Sequence, residues 1–364
     1  MTTYRVLGLM SGSSMDGLDI AYCILSVDEE GNWSYKIEKA ECLEYPRKWH
    51  LRLANLTMQN AITYIKTHTY FGHYTGELVN AFLAKHGLEG QVDFIASHGQ
   101  TIFHQPENKL TSQIGDGAAI AAVTNLPVVS NFRTTDVALG GQGAPIVPIG
   151  DMLLFPAFRF CLNLGGIANL TVNLGGGKMA GYDLAAANLV LNKLVEPLGV
   201  DFDNGGANAR AGHVDTRLLE ELDRSWYYKK EPPKTLGGGW VRKVLMPTFR
   251  HYRISTEDKL RTYVEHLVGQ IHRDIAQCCE DYQLGDPADQ KVLVTGGGVF
   301  NDFLLERLKD TADAEIIVPD ETLIKFKEAL IMGLIGCLRW RNETNILSSV
   351  TGATRDSIGG EIYA

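Results

Sequence analysis

The sequence lacks the marks of several large protein classes. It has no CxxC pair, and its six cysteines are scattered apart from the neighbours Cys278 and Cys279. Neither a structural zinc site nor a disulfide framework is therefore expected. No apolar run is long enough to cross a bilayer, and the N-terminus enters a strand-like stretch without a charged-then-apolar leader, so a reducing cytoplasm is the expected location. Basic residues are in deficit: 34 Lys and Arg against 43 Asp and Glu give a net charge of −9. A nucleic-acid or anionic-membrane partner would need a basic face, so neither is expected. Any anionic ligand must then meet a locally basic site or backbone N–H groups. GxxxxGK[ST] is absent, and Gly296–Gly298 leads to Asn301 where a dinucleotide fingerprint needs its third glycine. There is no low-complexity segment and no short repeat.

What remains is an enzyme-sized globular chain. Its 364 residues, 45% of them hydrophobic, exceed what one core usually supports, so two domains are the default. The organising stretch is CLNLGGIANLTVNLGGGKMAGYDLAAAN, residues 161–188. It reads as strand, Gly165–Gly166 turn, strand, then Asp183 before a helix-forming segment. Glycine turns let backbone N–H groups approach an anion without Cβ interference. The same pattern stands at the N-terminus: a strand over Tyr4–Met10, the turn SGSSMDG, and a strand over Leu18–Val27. Two such hairpins suggest two related halves, each offering a turn to a terminal phosphate. Asp16 and Asp19 suit Mg²⁺, which takes one or two carboxylates together with water and phosphate oxygens; plain turn chemistry is the alternative.

Further along, the spacing predicts a helix over 60–87 with Leu78 and Phe82 on one face and Gly87 as its stop. A short strand over Val92–Ala96 leads into SHGQTIFHQP, where His98 and His104 read as loop hydrogen-bonders rather than metal ligands. Residues 113–148 are dense in Gly, Asp and Gln, with Arg133, Asp136 and Gly140–Gly143 close together. That mixture suits a carboxylated or polyhydroxylated small molecule, or else a loop stiffened by Pro145 and Pro148. Helices follow over Ala187–Leu198, 258–282 and Lys325–Trp340, the last apolar nearly all round and so buried. EPPKTLGGGW, residues 231–240, reads as a mobile loop. KVLVTGGGVFNDFLLERL, residues 291–308, reads as a buried strand, three glycines and a helix whose N-terminus faces a nucleotide.

Taken together, GLMSGSSMDGLD (8–19), SHGQTIFHQP (97–106), QIGDGAAIA (113–121), NFRTTDVALGGQGAPIVP (131–148), NLGGIANLT (163–171), VTGGGVFN (294–301) and SSVTGA (348–353) resemble the anhydro-N-acetylmuramic acid kinases of the sugar kinase/Hsp70/actin superfamily. The resemblance spans almost the whole chain. It implies an α/β fold of two ribonuclease-H-like (actin/Hsp70-type) domains with a nucleotide cleft between them. Domain bounds are expected at 1–130 with the tail 345–364, and at 131–344. It implies an ATP-dependent, Mg²⁺-assisted kinase that opens 1,6-anhydro-N-acetylmuramate with water and phosphorylates O6, giving N-acetylmuramate 6-phosphate in peptidoglycan recycling, as a homodimer. Residue by residue, Asp183 falls on the family's general base. Ser11, Gly12, Ser13, Ser14, Met15, Asp16 and Gly17 would hold the γ-phosphate, with Gly165 and Gly166 as the matching turn and Asp16 nearest the metal. Gly296, Gly297 and Gly298 would hold the rest of the nucleotide. Gln100, Arg133, Asp136, Asn188 and Glu328 would serve the sugar. The family's DTGPGN stands here as DLAAAN, PPKSTGRE as PPKTLGGG, and the aspartate of DFR as Asn131. Those departures keep two rivals open: an ATP-binding sensor or scaffold of the same fold, and a kinase for another small sugar.

Overall fold

The structure, a computed structural model, describes every residue from Met1 to Ala364 except Ser13, Ser14 and Pro233. The phosphate-turn expectations at Ser13 and Ser14 lie outside the described residues. The chain divides into two compact units, Met1–Phe155 with Phe326–Ala364, and Pro156–Lys325.

The first unit is built on β1 (Thr2–Ser11), β2 (Gly17–Val27), β3 (Trp33–Glu44), β4 (Phe94–Gln105), β5 (Leu110–Ile114) and β6 (Val128–Ser130). With the C-terminal strand Glu361–Tyr363 they form one sheet in the order C-terminal strand, β6, β4, β1, β2, β3, with β5 pairing β4. β1 to β3 form an antiparallel meander, while β4 runs parallel to β1 and β6 parallel to β4. A parallel neighbour needs a crossover, and α1 (Ala61–His86) supplies it, capped by the Asn60 side chain and ended by left-handed Gly87. Gly72 and Gly76 of α1 let α2 (Gly117–Thr124) close in, since a Cβ on Gly72 would stand 2.6 Å from the Asp116 carbonyl oxygen. Leu7, Leu9, Ile20 and Ile95 pack against Phe71, Val79 and Phe82 as the core.

The second unit repeats the plan. Its strands are β7 (Phe160–Leu164), β8 (Ile167–Gly175), β9 (Lys178–Ala186), β10 (Lys291–Thr295) and β11 (Glu315–Ile317). They lie in the order β11, β10, β7, β8, β9, with the first three parallel and β8 antiparallel to both neighbours. A three-strand meander followed by parallel strands on the far side of the first is the ribonuclease-H-like order, and the chain makes it twice. Among the helices of this unit are α3 (Asn188–Val195), α4 (Thr256–Asp281) and α5 (Asp302–Thr311). The α4 stripe Leu260, Val264, Leu267, Ile271, Ile275 and Cys278 is buried, as its spacing predicts.

α6 (Glu321–Trp340) straddles the division. Its Gly336 nears β4, where a Cβ would come 2.5 Å from the Ala96 Cβ, and the Ala329 carbonyl presses on Gly8 of β1. Those contacts tie residues 326–344 to the first sheet, and Gly150, where a Cβ would meet Ile331 Cγ1 at 2.5 Å, packs on the same helix; 326–344 and 131–155 fall in the first unit, not in the second half expected from sequence. Two local readings also change. SHGQTIFHQP is not a loop, because β4 continues to Gln105. In 231–240, the backbone of Lys234 and Leu236 bonds to Asp183, and helix begins at Gly238.

Candidate functional site

In the first unit the polar residues collect where β1 and β6 end beside the middle of β4. β1 pairs Ser11 with Gln100 of β4, so their side chains meet. The Ser11 hydroxyl donates to Gln100 Oε1 at 2.6 Å and lies 2.7 Å from the Tyr45 hydroxyl. Having donated its one hydrogen to Gln100, Ser11 accepts from Tyr45. Ser11 and Gln100 are both 2% exposed, so this relay braces the base of the turn rather than facing a ligand. In the turn itself Met15 adopts φ 61° and its N–H donates to Gly12 O at 3.1 Å. Gly17 serves packing: a Cβ there would stand 2.6 Å from Leu43 O of β3. Asp16 is exposed and Asp19 half-buried. Burial, and then the Asp16 charge, raise the Asp19 carboxyl above its ordinary value, against the Cys42 thiol hydrogen bond. The described residues contain no group of three His, Cys, Asp or Glu that could hold a metal. Two carboxylates with room for water are nonetheless the donor set that suits Mg²⁺ riding on a phosphate.

Arg133 is pinned on one side. Its Nε donates to His98 Nε2 at 2.8 Å and its Nη1 to Gly143 O at 2.6 Å. His98 Nε2 is thus an acceptor, so the ring proton sits on Nδ1 and donates to Gly99 O at 2.8 Å. Burial and the Arg133 charge push His98 down to about 3, fixing it as neutral. Burial lowers Arg133 to about 10, still cationic at neutral pH, while Glu328 and Asp136 oppose the fall. Among the described residues Arg133 Nη2 has no hydrogen-bond partner, leaving that edge of the fork for a carboxylate. Glu328, half-buried on α6, is raised by burial and by Asp19, against the pull of Lys327 and Arg133.

Asp136 differs from the expectation that it serves the sugar. It is 0% exposed, with Oδ2 accepting from Gly143 N at 2.7 Å and Oδ1 from Thr351 Oγ1 at 2.7 Å. Gly141 lies so close that a Cβ would meet Oδ2 at 2.2 Å. Asp136 folds the glycine loop that supports Arg133. Asn131, the departure from DFR, sits at φ 61°, a conformation Asn tolerates, and donates to Glu361.

In the second unit, β8 and β9 place Asn169 opposite Asp183. Asn169 Nδ2 donates to Asp183 Oδ1, and Leu236 N to Oδ2 at 2.7 Å. Burial raises the Asp183 carboxyl, while the Leu236 and Asn169 bonds oppose the rise. The result is a half-buried, oriented carboxylate with a lone pair left on each oxygen, which is what a general base requires. The three alanines of DLAAAN do not crowd it: Ala185, Ala186 and Ala187 are all 0% exposed and belong to the core.

The glycine turns divide in role. The carbonyls of Gly165 and Gly166 accept from the N–H groups of Asn188, Ala187 and Leu189, capping the start of α3. That occupies the helix end that an anion would otherwise use. Asn188 turns its Nδ2 to Leu164 O at 3.3 Å, so it braces the β7 turn. Gly296 at φ +87° and Gly298 are packing glycines, with Cβ atoms that would meet Asn163 Oδ1 at 2.4 Å and Leu164 Cβ at 2.8 Å. Only Gly297 opens onto free space. A 3₁₀ turn over Gly297–Phe300 precedes α5, whose first turn the Asn301 side chain caps. Sequence reasoning missed Tyr45, Asn169, Tyr227, Lys234 and Thr351. Asn169, Lys234 and Thr351 stand inside recognisable motifs, but nothing in a linear pattern says which distant atom each meets.

The family model described as anhydro-N-acetylmuramic acid kinase matches residues 4–364. An anhydro-N-acetylmuramic acid kinase of Francisella tularensis subsp. novicida (strain U112) is 31% identical over 385 residues, covering 100% of this chain and 99% of its own. The enzyme of that name from Gloeobacter violaceus (strain ATCC 29082 / PCC 7421) is 35% identical, covering 98% of each chain. Among solved structures, an activator of the 2-hydroxyisocaproyl-CoA dehydratase from Clostridium difficile with bound ADPNP aligns at TM-score 0.44 and 14% identity, over 91% of this chain and 93% of its own. That likeness is too distant to bear on function.

Proposed function

We propose, from the premise that this chain belongs to the anhydro-N-acetylmuramic acid kinase family and is an ATP-using kinase of that class, that it opens 1,6-anhydro-N-acetylmuramate with water while phosphorylating O6. Asp183 takes a proton from water as the water oxygen attacks C1. The C1–O6 bond breaks, and O6 takes the γ-phosphoryl group of ATP as ADP leaves. The products are N-acetylmuramate 6-phosphate and ADP. The observation that carries this reading is the Asp183 carboxylate, oriented through both oxygens yet made more basic by burial. Phosphoryl transfer asks mainly for positioning and charge neutralisation. Mg²⁺, held through water by Asp16 and Asp19, would supply the neutralisation. Arg133 binds the lactyl carboxylate through its Nη2 edge. The open backbone at Gly297 lies against the nucleotide, and the Gly12–Gly17 turn holds its terminal phosphate.

The same likeness carries the expectations of a homodimer and of a cytoplasmic location in peptidoglycan recycling, which size-exclusion chromatography and cell fractionation test. No helix among the described residues is long and apolar enough to cross a membrane. The decisive experiment for the reaction is a product assay with ATP and the anhydro sugar in ¹⁸O-labelled water. Label on C1 of a 6-phosphorylated product is expected. Label on phosphate, or ADP formed with the sugar unchanged, would remove the reading.

A further inference from the structure

Tyr227, Lys234 and Leu236, together a strap, hold Asp183 by three separate atoms. The Tyr227 hydroxyl donates to the Asp183 carbonyl at 2.6 Å. The Lys234 carbonyl accepts from Asp183 N at 3.0 Å, and Leu236 N donates to Oδ2 at 2.7 Å. What fixes this strap is the Lys234 side chain, a 4% exposed ammonium of the kind that needs compensation. It lies 5.2 Å and 5.7 Å from the ring centres of Tyr182 and Tyr227, and 3.4 Å from Asp274 Oδ1 on α4. Asp274 Oδ2 in turn accepts from the Tyr182 hydroxyl at 2.5 Å, and that hydroxyl also lies 3.1 Å from Cys278 Sγ. Tyr182 immediately precedes Asp183 in β9. Lys234 therefore fastens the strap to the strand that carries the carboxylate, two residues before the amide that reaches Oδ2.

We infer that Lys234 is a positioning residue: by anchoring the strap between Tyr182, Tyr227 and Asp274, it aims the Leu236 amide at Asp183 Oδ2 and sets the orientation and basicity of that carboxylate. Its catalytic consequence rests on the reading of Asp183 as the base; the hold on Asp183 does not. The groups facing Asp183 are Asn169 from β8, the Leu236 amide, and Tyr227 from the strap. The ionisable groups behind them are Lys234, Asp274, Tyr182 and Cys278. A hydrogen bond to the charged form of a carboxylate lowers its pKa, so releasing the Leu236 amide raises it. The Leu236 bond has that sign in the intact protein.

The test uses full-length protein carrying ¹³C-carboxyl aspartate, with Asp183 assigned through Asp183→Asn. In Lys234→Met the Asp183 titration midpoint should move upward by about one pH unit. The acid limb of the kcat profile should follow it, and kcat below that limb should fall about tenfold per unit, with KM for ATP unchanged. Lys234→Arg, which keeps a cation beside Asp274, should restore both midpoints. Should Lys234→Met fail to fold, Asp274→Asn breaks the same anchor from α4 and is read the same way. An unmoved Asp183 midpoint in a folded variant overturns the inference. A moved midpoint with an unmoved kcat limb supports the hold on Asp183 and instead overturns Asp183 as the base.

Discussion

Asp183 accepts a hydrogen bond on each carboxylate oxygen, and this decides what its amide replacement does. An asparagine can keep its oxygen toward Leu236 N and turn its NH₂ to Asn169 only if the Asn169 amide flips to offer Oδ1, and both hydrogen bonds then lose the charge on their acceptor. Asp183→Asn should thus cost about 1 kcal/mol of stability, seen as a lower Tm. As a lost general base, it should also cut kcat by about 10²–10⁴-fold, with KM for ATP unchanged. Near wild-type turnover would dismiss Asp183 as the base. His98 gives a second residue-scale prediction. Its folded value of about 3 lies below the ordinary 6.5, so the unfolded chain binds the extra proton first as pH falls. Stability is full above pH 6.5 and declines toward pH 3, at about 1.4 kcal/mol per unit. Between pH 7 and 5 this one group should remove about 2 kcal/mol, measurable by urea unfolding. His266, also lowered by burial, acts in the same direction, so the comparison must be with His98→Asn, whose loss should be smaller. In the sequence Asp183 stood out as a carboxylate after a repeated glycine hairpin, and its reading as the base came from the match to the family's motif. Its partners were not legible, because Leu236 lies 53 residues away in the chain and contributes only a backbone amide.

At the scale of elements, helices with a clear apolar stripe were readable, α1 and α4 above all, because burial of one face is a local pattern. β3 was not, since its alternation of exposed and half-buried residues resembles a polar linker until β2 is beside it. The glycine runs were readable as sites of close approach, but not what approaches them. At Gly296–Gly298 the two possibilities separate by substitution. Gly298→Ala should destabilise by about 1–3 kcal/mol through overpacking on Leu164, and Gly296→Ala similarly, with added strain from its positive φ. Gly297→Ala should leave stability nearly unchanged, because nothing lies within 4 Å of the new Cβ. If this backbone lies against the nucleotide, that same substitution should raise KM for ATP. Unchanged ATP affinity in Gly297→Ala would take the loop out of the nucleotide site.

For the molecule as a whole, charge sets the terms of ligand binding. The chain carries a net −9 and its proposed ligand is a polyanion. The turn proposed for the terminal phosphate brings Asp16 and Asp19 with it, and Glu328, raised first by burial, is raised further by the Asp19 charge. Two like charges 6 Å apart repel by about 3 kcal/mol at an effective dielectric near 20. Bare ATP brought to these carboxylates therefore meets an opposition that backbone N–H groups alone must overcome. A divalent cation reverses the sign, because the carboxylates then attract, through its water shell, what they would otherwise repel. ATP should accordingly bind with Mg²⁺ and lose at least tenfold in affinity with EDTA, by calorimetry. Saturating Mg²⁺ and ATP together should also raise the unfolding free energy, by about 2.7 kcal/mol at a hundredfold excess over Kd. Asp19→Asn should narrow the gap between the two affinities, since it removes both the repulsion and the water-mediated hold. Equal binding with and without Mg²⁺ would show that these carboxylates do not face the phosphates, and the metal assignment would fall even if the kinase reaction stood.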